Sequence, residues 1–173
     1  APPLPLSEVN VLVENPFRNL MWDFPRKPKV ALLNHFYNEQ MLLPYFINHH
    51  APLFDEAILL DARSTDRSVQ IIHEYAPSNW RVVPMVHEGF HAQKTDFEVA
   101  FWEATLGPMM WKLALTTTEF LVHPTFRDEL DAATALNFQS GRIRAYEMTG
   151  DDSIAPLDPL THLVSQRSQS LAR

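Results

Sequence analysis

The chain contains no cysteine, which excludes disulfides, thiolate metal sites and cysteine nucleophiles together. Glycine is nearly as scarce. The four present, Gly89, Gly107, Gly141 and Gly150, are spaced so that they build neither a P-loop nor the glycine-rich turn of a dinucleotide fold. No apolar run approaches the length that crosses a bilayer, and Ala1 to Leu6 has neither the basic start nor the apolar centre of a signal peptide. A soluble, cytoplasmic protein without a transmembrane segment is the expectation. Positive charge is lacking too: the formal net charge is −7, whereas a protein that grips a phosphate backbone gathers Lys and Arg on one face. Nucleic acid is therefore not an expected partner.

What the chain does have is ordinary globular material. Its 173 residues, 46% apolar and 20% charged, suit one domain with a buried core and argue against wholesale disorder. The 14 prolines divide it unevenly. Residues 1–28 read as a Pro-rich arm, in which Pro16, Pro25 and Pro28 oppose regular structure. Phe17, Trp22 and Phe24 in that arm are costly to leave in water, so it is expected to pack on its own domain or on a protein partner.

Residues 29–150 read as one α/β domain with a mostly parallel central sheet flanked by helices. Val30 to Leu33 is a buried first strand, followed by a loop over Asn34 to Glu39. Met41, Leu42, Tyr45, Phe46 and His49 then recur at helical spacing. A second strand over Glu56 to Leu60 leads to a helix with Val69, Ile72 and Tyr75 or Ala76 inward, ending before Pro77. Arg81 to Pro84 is a short third strand, and the next helix is expected to bury Phe97, Ala100, Phe101 and Ala104. Trp111 to Leu115 alternates as a fourth strand, Phe126 to Leu136 is helical, and Arg142 to Tyr146 alternates again as a strand. Residues 151–173 lose periodicity and read as a tail that is polar from Ser165 onward.

The stretch Asp61-Ala62-Arg63-Ser64-Thr65-Asp66-Arg67-Ser68 turns a buried strand directly into a helix. Ser64, Thr65 or Asp66 there either caps the helix or faces a ligand. Right-handed crossovers bring this loop to the same sheet edge as Tyr37-Asn38-Glu39 and Thr116-Thr117-Thr118-Glu119. That edge is where open α/β sheets hold small molecules.

Tyr37-Asn38-Glu39, Asp61 with Ser64-Thr65-Asp66-Arg67-Ser68, and Trp111-Lys112 running into Glu119-Phe120-Leu121-Val122 together resemble the nucleotide-sugar glycosyltransferases of GT-A, Rossmann-like fold, in particular the family-2-like group. The likeness covers roughly residues 29–125. It implies a nucleotide-diphosphate sugar as donor, a Mn²⁺ or Mg²⁺ ion on its diphosphate, and transfer to an acceptor hydroxyl. Phe36 or Tyr37 would stack on the base and Asp61 would accept hydrogen bonds from base or ribose, with Asp66 in the same loop. Glu39 is either a ligand contact or an internal brace.

The chain departs from that group at the metal. Thr116, Thr117 and Thr118 stand where it places an Asp-x-Asp pair, leaving Glu119 as the carboxylate of the motif, helped from elsewhere by residues such as His123 or Asp96. Asp151 and Asp152 are candidates for the catalytic base, or belong to a solvated turn after Gly150. Among the histidines only the loop pair His87 and His91, with Glu88 and Gly89 between them, has the i, i+4 spacing of a hydrolytic zinc helix; a dedicated zinc site is not expected, and most of the histidines are expected in packing or surface roles. Two functions follow: an active glycosyltransferase, or a catalytically impaired GT-A-fold protein serving as a structural or interaction subunit, with the arm as its contact.

Overall fold

The computed structural model describes residues 27–87, 91–144, 146–149, 158, 161 and 169–172. Strands β1 (Lys29–Phe36), β2 (Glu56–Asp61), β3 (Trp80–Pro84) and β4 (Met110–Thr116) alternate with helices α1 (Leu43–His50), α2 (Ser68–Tyr75) and α3 (Ala92–Thr105), and α4 (Phe126–Ala135) follows β4. The four strands form one all-parallel sheet in the order β3-β2-β1-β4. This is the α/β, Rossmann-like arrangement that the alternation of strand and helix patterns predicts. No described helix is long and apolar enough to cross a membrane.

The central strands are continuous apolar runs because helices cover both faces of the sheet. Val30, Leu32 and Phe36 pack with Leu43, Phe46, Ile47, Leu59 and Ile72 on one face. Ala31 and Leu33 pack with Ile58, Leu60, Met85 and Leu106 on the other. Each fully buried Leu or Ile in these layers contributes roughly 1.5–3 kcal/mol. β1 continues through Asn34, His35 and Phe36, past the point where its apolar run stops, because β2 and β4 pair with it there on both sides.

Helix faces are where the structure departs from periodicity. α1 buries Leu43, Phe46, Ile47 and His50, while Met41 is 75% exposed. Pro44 starts the helix at Leu43, so the inward stripe begins two residues later than a helix counted from Met41. α2 buries Ser68, Ile71 and Ile72 and leaves Tyr75 exposed. α3 turns Phe97 and Phe101 outward and packs Val99 and Trp102 on the core. It carries apolar residues on two sides, and a polar contact selects between them: Glu98 accepts the His87 ring at 2.8 Å, on the face that also buries Thr95.

Residues 141–144 form no strand. The strand begins instead at β5 (Tyr146–Thr149) and pairs antiparallel with β6 (Gln169–Ala172), inside the stretch whose sequence reads as a polar tail. A pairing of two short strands made across some twenty residues leaves no local periodicity to read. Apart from Lys27 and Pro28, the Pro-rich arm lies outside the described residues.

Candidate functional site at the β1–β4 edge

Strand order reverses between β1 and β4, and the loops leaving β1, β2 and β4 meet at that end of the sheet. The first two are stitched together. Asn38 Oδ1 accepts the Thr65 backbone N–H at 2.8 Å, and the Asn38 N–H donates to Ser64 Oγ at 3.0 Å. The Glu39 N–H donates to Ser68 Oγ at 2.8 Å, and the Gln40 N–H donates to Asp66 Oδ2 at 3.1 Å. Asn38 and Arg63 both sit at positive φ, 55° and 68°. Asparagine tolerates that region, whereas Arg63 is held there by its Nε donating to the Met85 carbonyl at 3.0 Å.

Asp61 ends β2 with 8% of its surface exposed. Its Oδ1 accepts the Ser64 N–H at 2.8 Å, and Oδ2 has no hydrogen-bond partner among the described residues. The carboxylate is thereby oriented with one oxygen available. Asp66 is used differently: its Oδ1 accepts the Ser68 N–H at 2.9 Å while Oδ2 accepts Gln40. Burial alone would raise the Asp66 pKa, but the hydrogen bonds from Ser68 and Gln40 outweigh it and hold the carboxyl below its ordinary value. Asp66 is the brace of the joint. Glu39 beside it moves the other way, raised by burial and then by the negative charge of Asp66.

The two aromatic candidates also separate. Phe36 is 2% exposed in the core, and Tyr37 is 41% exposed, so of the two only Tyr37 presents its ring to solvent. The third loop closes on itself. Glu119 Oε2 accepts the Thr116 N–H at 2.7 Å, the Thr116 carbonyl accepts the Glu119 N–H at 3.0 Å, and the hydroxyls of Thr116 and Thr118 lie 3.0 Å apart. Thr117 is buried, with Asn34 Nδ2 3.5 Å from its hydroxyl.

No protein-family model matches this chain, and no curated protein matches it. The chemistry of the site therefore rests on its own residues. Among the described residues no group of three or more His, Asp or Glu is placed to hold a metal ion. A divalent cation on a diphosphate takes one or two carboxylates and completes its shell with phosphate and water. Glu119 Oε1, which the turn leaves unused, fits that smaller requirement.

The sequence places His35 only among the histidines expected in packing or surface roles, and the structure brings it into this edge. Burial pushes its pKa down, while the negative charges of Asp96 on α3 and of Glu119 pull it part of the way back. His35, Asp96 and Glu119 thus share one electrostatic environment. His123, the other suggested helper, pairs instead with Glu129 at 3.3 Å.

The sequence offers His49 and His50 only packing or surface roles, yet they anchor the segment beyond Glu119. The His50 Nδ1–H donates to the Phe46 carbonyl at 2.9 Å, and Nε2 accepts the Leu121 N–H at 3.1 Å. His49 Nε2 donates to the Leu121 carbonyl at 2.7 Å. Both polar groups of one backbone unit are held by consecutive histidines. Asp151 and Asp152 lie outside the described residues.

Proposed function

We propose that this domain is a glycosyltransferase of GT-A type, which binds a nucleotide-diphosphate sugar across the β1–β4 edge and transfers the sugar to an acceptor hydroxyl. The observation that carries the reading is the Asp61 carboxylate, oriented by Ser64 and with one oxygen unpartnered among the described residues, in the joint between the Asn38 and Thr65 loops. Asp61 Oδ2 accepts from the base or ribose, Tyr37 offers the stacking face, and Glu119 is the carboxylate that would help hold a Mn²⁺ or Mg²⁺ ion with the diphosphate. When bound, that ion neutralises charge on the leaving diphosphate. In the transfer the acceptor oxygen bonds to the anomeric carbon, and the carbon–oxygen bond to the diphosphate breaks, its electron pair leaving with the diphosphate. A carboxylate base, for which Asp151 and Asp152 are the candidates, takes the hydroxyl proton.

A second reading has its own support. Thr116 and Thr118 pair with each other where an acidic pair would bind a cation, and one oxygen of Glu119 is committed to the turn. A domain built this way serves as a catalytically impaired structural or interaction subunit that keeps the nucleotide pocket. Titrating UDP-sugars and GDP-sugars with and without Mn²⁺, and following thermal unfolding, tests both. A donor at a hundred times its dissociation constant adds about 2.7 kcal/mol. That gain is expected to vanish in Asp61→Ala, and no gain with any donor overturns the proposal. Binding without release of nucleoside diphosphate in the presence of acceptors selects the second reading.

A further inference from the structure

Arg63 stands at a φ of 68°, in the left-handed region where a side chain is strained and glycine is not. It is exposed and makes no ion pair among the described residues. Neither burial nor a carboxylate partner accounts for an arginine at this strained position. Strain of this kind concentrates where a side chain serves a site.

The guanidinium is fixed by one corner. Its Nε donates to the Met85 carbonyl at 3.0 Å, and the Met85 N–H donates to the Asp61 carbonyl at 2.8 Å. Met85 is fully buried, so one firmly held residue just past β3 positions both Arg63 and the end of β2. The two terminal nitrogens of Arg63 have no hydrogen-bond partner among the described residues. In the same turn the Ser64 N–H occupies Asp61 Oδ1 and leaves Oδ2. The two charged side chains do not pair with each other, because Met85 holds one and Ser64 the other. The turn thus presents an anionic acceptor and a cationic donor at one end of β2.

We propose that Arg63 is a specificity-determining residue, which together with Asp61 selects uracil as the base of the donor nucleotide. This inference rests on the sugar-nucleotide reading and adds to it which nucleotide the edge prefers. Stacking on Tyr37 accepts any base, because every base has a π-face, so selection falls to the hydrogen-bonding edge. Uracil carries the complement of the turn, an N–H flanked by carbonyl oxygens. Its N3–H donates to Asp61 Oδ2, and the adjacent carbonyl accepts from the Arg63 guanidinium. Cytosine and adenine reverse both positions, setting a ring-nitrogen lone pair against the carboxylate and an amino group against the guanidinium. Both protein groups then lose their partners, which is the mismatch a polar pocket rejects most strongly. Guanine has the N–H and the carbonyl, but its amino group beside N1 calls for the second carboxylate oxygen, which already accepts from Ser64.

Calorimetric titration of the full chain with UDP, GDP, CDP and ADP in the presence of Mn²⁺ tests the assignment. UDP is expected to bind about a hundredfold more tightly than CDP or ADP, about tenfold for each of the two lost hydrogen bonds, and more tightly than GDP. In Arg63→Gly, which suits the left-handed backbone, the ratio of UDP to CDP affinity is expected to fall about tenfold. A contact from Arg63 to the diphosphate would instead weaken UDP and CDP by the same factor and leave the ratio unchanged, which overturns the proposal. So does GDP, CDP or ADP binding the parent chain as tightly as UDP, a comparison that needs no variant. Nucleotides that bind without preference sink this assignment alone, whereas binding of none of the four sinks the sugar-nucleotide reading with it.

Discussion

The side-chain oxygen of Asn38 accepts the backbone N–H of Thr65 at 2.8 Å, and this bond joins the loop leaving β1 to the loop leaving β2. It lies where the Asp61 carboxylate is oriented by Ser64, so the shape of the candidate pocket depends on an amide that touches no ligand in the proposed roles.

Replacing Asn38 separates its two contributions. Asn38→Gly keeps the backbone at positive φ and removes the hydrogen bond, which is expected to cost about 1 kcal/mol in urea unfolding. Asn38→Ala adds the strain of a side chain in the left-handed region and is expected to cost about 1 kcal/mol more. Both variants are expected to weaken nucleotide-sugar binding.

Acid is expected to destabilise the fold through His50. Burial and the neighbouring His49 charge lower its pKa from 6.5 to about 3, against the opposing hydrogen bond to Phe46. The folded state thus binds the proton more weakly than the unfolded chain. Stability from this group is complete above pH 6.5 and falls as pH drops towards 3, with a limiting slope of about 1.4 kcal/mol per pH unit. His35, lowered chiefly by burial, acts in the same direction. Denaturant unfolding of His50→Gln between pH 7 and 4 is expected to show a lower starting stability and a shallower slope than the parent.

Arg127 reaches from α4 to Asp55, its two terminal nitrogens 2.9 and 3.2 Å from the carboxylate oxygens. Burial would raise the Asp55 pKa, but Arg127, the Val30 amide and Lys29 outweigh it and lower it. The pair is more than a third exposed, so solvent screening keeps its worth small. Arg127→Met is expected to cost no more than about 1 kcal/mol. The Asp55 contribution is present above its ordinary pKa and is lost as pH falls through the lowered one. A calorimetric melt at pH 7 in low and high salt checks the first expectation.

Glu119→Gln keeps an oxygen able to accept the Thr116 N–H while removing the charge. Donor affinity measured with Mn²⁺ is expected to fall about tenfold, as for loss of one hard charged ligand. Affinity without the metal, and thermal stability, are expected to stay close to the parent. An equal loss with and without Mn²⁺ would place Glu119 outside the cation's reach.

The joint was only partly legible before the structure. The resemblance singled out Asp61, Tyr37 and Glu119 by residue type, and the fold brings their loops to one end of the sheet. Phe36 and Asp66 carried the same promise, but one fills the core and the other braces two backbone amides. Side-chain chemistry alone does not distinguish a carboxylate facing solvent from one facing its neighbour's amide. Asn38 and His50 act through backbone partners 27 and 71 residues away, and no window of local sequence contains both ends of those bonds.

By itself the sequence determined the frame: apolar runs at Val30 to Leu33 and Ala57 to Leu60, punctuated by Pro52, Pro77 and Pro108, specify buried parallel strands and crossover helices. Burial periodicity and proline sterics act over a few residues and can be read there. Only the tertiary structure decided which side of α3 faces the core, that β5 pairs with β6, and that Leu121 is held by two histidines. Those outcomes rest on hydrogen bonds and packing between segments far apart in the chain, and they exist only once the sheet has brought the segments together.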